Sequence, residues 1–171
     1  GVIARQVAEV MTRLVRQSGR PPYDKRAHDG YWRQIMCRHS ERTKMLVVIP
    51  MVCSIPQACG QASDCNAAAW SDEDCRNRVA SELEALCHTK GYRWGLFWQV
   101  NDHVSAPAAD VPMQWVKGID RVDELMMGLT FSIHPSAFFQ VNTVMAEKLY
   151  AVIGELGGVS PSTVVLDICC G

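Results

Sequence analysis

The sequence predicts an α+β domain with a mostly antiparallel sheet, followed by the first helix and strand of a Rossmann-like α/β domain. Three observations support this prediction: helical periodicity near both ends, short apolar strands between turn residues, and a late helix that leads into an apolar run. The boundary divides the chain into domains 1–134 and 135–171. Because the chain opens inside a periodic pattern and stops at a glycine, we expect the first domain to lack its beginning and the second its end.

The first third of the chain predicts a helix and a β-hairpin. Apolar residues over 3–15 recur at three- and four-residue spacing, as on one face of a helix. Strands over 30–38 and 45–52 flank the polar segment 39–44, which is typical of a hairpin turn. Residues 54–71 carry little periodicity and are predicted to form a loop.

The middle of the chain predicts one helix and then strands. Ser71 or Asp72 caps a helix that extends to about Thr89 and carries acidic residues in its first turn. The predicted strands cover residues 93–100, 113–119 and 128–133.

The C-terminal segment predicts the opening of a second domain. Pro135 suits the first turn of a helix that extends to about Leu156, with an apolar residue at every third or fourth position. The apolar run Thr163–Ile168 then predicts a buried strand, with Asp167 near its end and Gly171 after it. A helix, an apolar strand, an Asp and a Gly are typical of the start of a nucleotide-binding α/β sheet.

Composition excludes several classes of protein. No apolar run among the 171 residues approaches the ~20 residues of a membrane span. No secretory signal is visible, so we expect an intracellular protein of the cytosol or nucleus, with the mitochondrion left open, and reduced thiols. We expect no metal site, because zinc and iron–sulfur spacing is absent from Cys53, Cys59, Cys65 and Cys75.

The charge of the chain is unevenly distributed. Residues 1–45 hold ten Lys or Arg against four acidic residues, a net charge of +6, and the remainder carries −7. A basic end on an acidic body can bind a polyanion. The alternative is a solvated helix face followed by a loop.

Two stretches of the chain carry specific motifs. Residues 129–150 contain F-x-Q-x-N as Phe138-Phe139-Gln140-Val141-Asn142, which resembles the mark of the tRNA (uracil-5-)-methyltransferase family. Residues 166–171, LDICCG, resemble the family's first S-adenosylmethionine motif in its eukaryotic form. Segments within 23–38 are similar to an upstream region of the same branch, so the resemblance covers residues 20–171.

The resemblance implies S-adenosylmethionine as cofactor and tRNA as partner. It implies that Gln140 contacts the cofactor, since an amide both donates and accepts hydrogen bonds; the alternative is a solvent-facing glutamine. Cys169 stands where bacterial relatives carry a cofactor-contacting tyrosine, Gly171 allows close approach of the backbone, and Asp167 orders the loop. Asn142 is expected to support the backbone at the start of the helix.

The family's chemistry implies that the catalytic residues are not in this chain. A cysteine thiolate adds to C6 of uracil and a general base removes the C5 proton, and both residues lie well downstream of the first cofactor motif. We therefore assign neither Cys169 nor Cys170 as nucleophile, nor Asp167 as base, and predict no turnover by residues 1–171 alone.

The resemblance also implies that the upstream domain shapes an RNA cleft. Arg33 and Arg38 are then candidates to meet phosphate; the alternative is a solvated strand face. The leading hypothesis is part of a methyltransferase that acts on C5 of uridine in tRNA. Two alternatives are a non-catalytic short form that binds RNA or a protein partner, and another Rossmann-type methyltransferase.

Overall fold

A computed structural model of the chain describes residues 1–54, 69–104, 111–166 and 168. Helix α1, Val2–Gln17, buries a stripe formed by Ile3, Val7, Met11 and Leu14. It ends at Ser18, whose backbone N–H donates to the Leu14 carbonyl and whose hydroxyl accepts a hydrogen bond from Trp32 Nε1 at 3.0 Å. The predicted N-terminal helix is confirmed.

The predicted hairpin is also confirmed. Strand β1, Trp32–Ser40, and strand β2, Met45–Val52, pair antiparallel with Ser40 opposite Met45. Every residue of β2 is buried. A continuous apolar run is what a strand covered on both faces requires, and β2 lies inside the sheet, between β1 and the next strand.

Helix α2, Asp72–Lys90, begins and ends where the sequence predicts. Ser71 is its N-cap and forms a capping box with Asp74, and Gly91 follows the helix with φ +68°, a left-handed conformation that glycine tolerates. Strand β3, Arg93–Val100, then lies parallel to β2, with Met45 opposite Arg93. Helix α2 is therefore the crossover of a parallel strand pair.

The sheet is mixed, with two antiparallel pairs and one parallel pair, which agrees with the prediction of a mostly antiparallel sheet. Strand β4, Met113–Gly118, pairs antiparallel with β3, giving the order β1-β2-β3-β4 with one parallel pair at its centre. The sequence pattern predicts helix α2. It does not predict that this helix is a crossover, and so it does not predict that β2 and β3 run in the same direction. The remaining pairs of this sheet are antiparallel, as predicted.

A second hairpin contains a strand that the sequence analysis did not predict. Strand β5, Val122–Met126, pairs antiparallel with β6, Leu129–Ile133. In β5, Val122, Glu124 and Met126 are buried in alternation. The polar residue at the central buried position hides the period-two pattern of this strand.

The four-stranded sheet lies between helices α1 and α2 on one face and the second hairpin on the other. One core cluster joins α1 and α2 to the sheet face that carries Leu46 and Val48. The other cluster contains Val47 and Phe97 on the opposite face, together with Val122 of β5. Because successive residues of a strand point to opposite faces, β2 contributes to both clusters.

The C-terminal segment departs from prediction at two places. Helix α3 covers Thr143–Leu156 and does not begin at Pro135. The described residues of the predicted strand over 163–168 form no strand, and Val164 and Leu166 are exposed. A strand needs a neighbour for its backbone hydrogen bonds, and the described residues supply none here. The domain boundary at residue 134 stays a prediction.

None of the helices in the described part of the chain combines the length and apolarity that a bilayer crossing needs. Within the same residues, no group of three or more His, Cys, Asp or Glu side chains could hold a metal ion. Two of the four cysteines singled out by their spacing, Cys59 and Cys65, lie outside the described residues.

Candidate functional site

The segment 134–142, which we call the motif segment, connects β6 to α3 and contains F-x-Q-x-N. It opens with a turn in which the Ala137 N–H donates to the His134 carbonyl at 2.9 Å. The His134 ring packs edge-on against Phe97, with centroids 5.9 Å apart, and its Nδ1 lies 2.7 Å from the Ser136 hydroxyl. These local contacts hold residues 134–136 in a turn instead of a helix.

Asn142 determines where α3 begins. Its side-chain oxygen accepts a hydrogen bond from the Met145 N–H at 3.1 Å, as an N-cap does. The prediction that Asn142 supports the backbone at the start of the helix is confirmed. The helix begins eight residues after Pro135, at Thr143, because the stronger capping group stands at residue 142.

Gln140 lies between two anchored neighbours. The Phe139 ring packs against Phe131 of β6, with centroids 5.7 Å apart, and Asn142 caps the helix on the other side. Gln140 itself is exposed. Its backbone is thus held while its amide stays accessible, an arrangement that can present the amide to a polar ligand.

Arg38 connects the first hairpin to the motif segment. Its Nη2 donates to the Ala137 carbonyl at 2.5 Å, across 99 positions of sequence. Burial lowers the pKa of the Arg38 guanidinium, because charge is penalised where water is excluded. The contact makes Arg38 a structural partner of the motif segment, and a contact with RNA phosphate stays a prediction.

Arg33 is likewise engaged within the fold. Its Nη1 donates to the Asn101 carbonyl at 2.8 Å, and its guanidinium carbon lies 4.1 Å from the centroid of the Tyr23 ring. The side chain is half-buried on the β1 face that also carries Ile35. Neither arginine lies on a simple solvated strand face, and the RNA contact of Arg33 also stays a prediction.

Three of the predicted cofactor residues fall outside the structure's described part. These are Asp167, Cys169 and Gly171. Their roles stay predictions.

A pair that sequence reasoning missed lies on the other side of the motif segment. Arg42, in the turn between β1 and β2, forms two hydrogen bonds to the Glu147 carboxylate, at 2.6 and 2.8 Å. Glu147 lies on α3, 105 positions away in sequence. No local pattern signals a contact over that separation.

A groove of about 740 Å³ lies between α1 and the 19–29 loop. Arg16 and Arg20 line it together with Asp29, over an apolar floor that includes Val15 and Ile35. Arg16 is exposed and has no ion-pair partner within 4.0 Å among the described residues. In this groove, basic residues of the N-terminal region line a concave surface.

Comparisons with known proteins identify relatives along nearly the whole chain. Mouse tRNA (uracil-5-)-methyltransferase homolog A is 28% identical over 170 residues, covering 98% of this chain and 26% of the relative. Human tRNA (uracil-5-)-methyltransferase homolog B is 30% identical over 169 residues, covering 97% and 31%. An uncharacterized RNA methyltransferase of Chlorobaculum tepidum is 29% identical over 166 residues, covering 97% and 31%.

A solved structure shares the fold. It is the crystal structure of the Pyrococcus abyssi tRNA (uracil-54, C5)-methyltransferase in complex with S-adenosyl-L-homocysteine, with a TM-score of 0.58 and 16% identity. The match covers 90% of this chain and 32% of that one. No protein-family model matches the chain.

The resemblance predicted from the motifs is confirmed. The chain is similar in sequence to tRNA (uracil-5-)-methyltransferase homologues and to RNA methyltransferases over almost its full length. It spans 26–31% of the length of these curated relatives.

Proposed function

We propose that this chain forms part of an S-adenosylmethionine-dependent tRNA (uracil-5-)-methyltransferase, and that the motif segment contributes to binding the cofactor. The observation that carries the proposal is the similarity over 97–98% of the chain to proteins named for that activity. In this role the cofactor supplies the methyl group, and C5 of a uridine in tRNA receives it.

Gln140 fits a cofactor contact on two grounds. Its amide is exposed, and the backbone on either side of it is anchored, by Phe139 on Phe131 and by the Asn142 cap. A neutral amide can pair with both the ammonium and the carboxylate of the cofactor's amino-acid end. Asp167, Cys169 and Gly171 are proposed to complete the contact from the LDICCG motif.

The test uses the longest natural product that contains this chain. We expect it to transfer labelled methyl from S-adenosylmethionine to unmodified tRNA, and Gln140→Ala to raise the KM for the cofactor about tenfold through the lost hydrogen bonds. Gln17→Ala, at the exposed end of α1, is the control and should leave the KM unchanged.

Two outcomes would contradict the proposal. One is the absence of tRNA methylation by that product, or transfer to a small molecule with no dependence on tRNA. The other is measurable transfer by residues 1–171 alone, because no residue of this chain is proposed as nucleophile or base.

The basic groove supports a second candidate, a role in binding RNA that does not require turnover. Arg16 borders the groove, and exposed Lys25 and Arg26 lie on the adjoining loop. Both acidic residues of that loop are turned toward backbone: Asp24 accepts from the Arg26 N–H and Asp29 from the Gly30 N–H, each at 2.7 Å. Arg33 and Arg38 are proposed as further RNA contacts on the ground of the family resemblance, apart from this groove.

Filter binding to tRNA at about 50 and 200 mM salt tests this role. Arg16→Gln combined with Arg26→Gln should weaken binding and reduce the salt slope by about two, since each phosphate contact contributes about one to it. Arg5→Gln, on a residue already 3.8 Å from Glu9, serves as control. Binding without salt dependence would contradict an electrostatic surface.

A further inference from the structure

The turn between β1 and β2 reaches both the second hairpin and α3. Arg42 Nη1 donates to the Leu125 carbonyl at 2.5 Å, and its guanidinium forms the two hydrogen bonds to Glu147. The neighbouring Thr43 hydroxyl donates to the Asp123 carbonyl at 2.5 Å. One four-residue turn thus binds a strand and a helix that follow it by more than 75 positions.

Glu147 is the point at which these contacts meet. Its Oε1 accepts from Arg42 Nη1 at 2.6 Å and from the Met127 N–H at 2.8 Å. Met127 stands in the β5–β6 turn with φ +51°, a conformation that costs a non-glycine residue energy. The carboxylate therefore joins α3 to the second hairpin and to the first one at a single position.

Apolar packing does little to hold α3 in place. Ala146 is its only buried residue, whereas Met145, Leu149 and Ile153 are each 54% exposed. Among the described residues, the position of α3 therefore depends mainly on its polar contacts. On α3 the tertiary polar contacts of the described residues converge on Glu147.

The first hairpin therefore contacts the chain on both sides of Gln140. Arg38 binds the carbonyl of Ala137, three residues before Gln140, and Arg42 binds Glu147, seven residues after it. The Asn142 cap transmits the position of α3 to the residues that precede the helix. The orientation of Gln140 then depends on two arginines of the first hairpin, Arg38 and Arg42, which lie far from it in sequence.

We propose that Arg42 and Glu147 are positioning residues for the motif segment, holding the start of α3 so that Gln140 is correctly placed for the cofactor. The cofactor part of this inference depends on the proposed function, whereas the positioning part does not. The bidentate geometry gives the contact its directional precision, which a single hydrogen bond lacks.

The experiment compares Arg42→Gln, Glu147→Gln and the double variant in the longest natural product that contains this chain. Amide hydrogen exchange over residues 134–147 is expected to accelerate about tenfold in each single variant. The double variant should exchange no faster than the faster single one, because both changes remove the same contact. Glu84→Gln, which breaks the exposed pair with Lys117, is the matched control and should leave this segment unchanged.

A second readout separates positioning from general stability. The KM for S-adenosylmethionine should rise severalfold in both single variants, while exchange in β2, which is buried throughout, stays at its original rate. Unchanged exchange over 134–147, or additive effects in the double variant, would overturn the inference. A product that methylates no tRNA would overturn the proposed function, and exchange would still decide whether the pair positions the segment.

Discussion

The Tyr31 hydroxyl lies 2.5 Å from Asp72 Oδ1 and donates a hydrogen bond to it, across 41 positions of sequence. Asp72 Oδ2 meets Arg76 Nη2 at 2.5 Å. Burial raises the pKa of the Tyr31 hydroxyl, and the neighbouring Asp72 carboxylate raises it further, so the proton stays on tyrosine. The contact joins the residue that precedes β1 to the first turn of α2.

Replacing Tyr31 with Phe should lower the free energy of unfolding by about 1.5 kcal/mol. Hydrogen bonds to charged groups contribute ~1.5–3 kcal/mol, and the lower end applies because Asp72 keeps its pair with Arg76. Urea unfolding followed by circular dichroism measures the change. Tyr23→Phe, which removes an exposed contact with His28, should cost less than about 0.5 kcal/mol; equal effects of the two variants would argue against this account.

Two glycines should respond differently to alanine. A Cβ on Gly95 would lie 1.8 Å from the Ile119 carbonyl oxygen, a backbone atom that cannot move aside. A Cβ on Gly128 meets nothing within 4 Å, although its φ of +80° strains an alanine. We expect Gly95→Ala to abolish the stable fold or to cost several kcal/mol, against about 1 kcal/mol for Gly128→Ala. Thermal unfolding midpoints would show whether this order holds.

The elements that sequence patterning predicted well are those whose stability is local or fully apolar. The Ser71–Asp74 capping box marks the start of α2 and Gly91 marks its end. Each signal involves only residues that are close together in sequence. The uninterrupted apolar run of β2 shows that both its faces are covered. In these segments propensity and burial favour the same structure, so the pattern alone is informative.

The elements that patterning missed depend on partners far away in sequence. Glu124 interrupts the apolar alternation of β5, and its burial follows from packing against the first hairpin. The run at 163–168 has the apolar composition of a strand, yet its described residues have no strand beside them. The composition of a segment shows whether it could form a buried strand. Whether it does so depends on a neighbouring strand, which the local sequence does not show.

The candidate site shows the same division. Gln140 and Asn142 can be predicted from the sequence because the identity of the motif residues alone identifies them. The family resemblance predicts an RNA contact for Arg38, and the structure adds a contact within the fold, since its guanidinium donates to the Ala137 carbonyl. The Arg42–Glu147 pair has no sequence signature, because long charged side chains occur at many exposed positions and only the tertiary fold selects which two meet.

Truncating two leucines should reveal how differently α2 and α3 are packed. Leu83 on α2 is fully buried, whereas Leu149 on α3 is 54% exposed. Leu83→Ala should destabilise the fold by about 2–5 kcal/mol, the range for a large buried side chain. Leu149→Ala should change the free energy of unfolding by less than about 0.5 kcal/mol. A large cost at Leu149 would mean that the apolar side of α3 is covered in solution.

The contribution of Glu147 should disappear in acid. Its hydrogen bonds from Arg42, and then the one from the Met127 N–H, lower its pKa to about 2, below the ~4.3 of an unfolded glutamate. Stabilisation by the ionised group is therefore complete above about pH 4.3 and is lost as the pH falls toward 2. Urea unfolding of the unaltered chain and of Glu147→Gln at pH 6 and pH 3 tests this. The difference between the two proteins should shrink at pH 3, since other carboxylates whose pKa is lowered, such as Asp74, are common to both and cancel. A difference that stays constant between the two pH values would show that Glu147 does not change its protonation on folding.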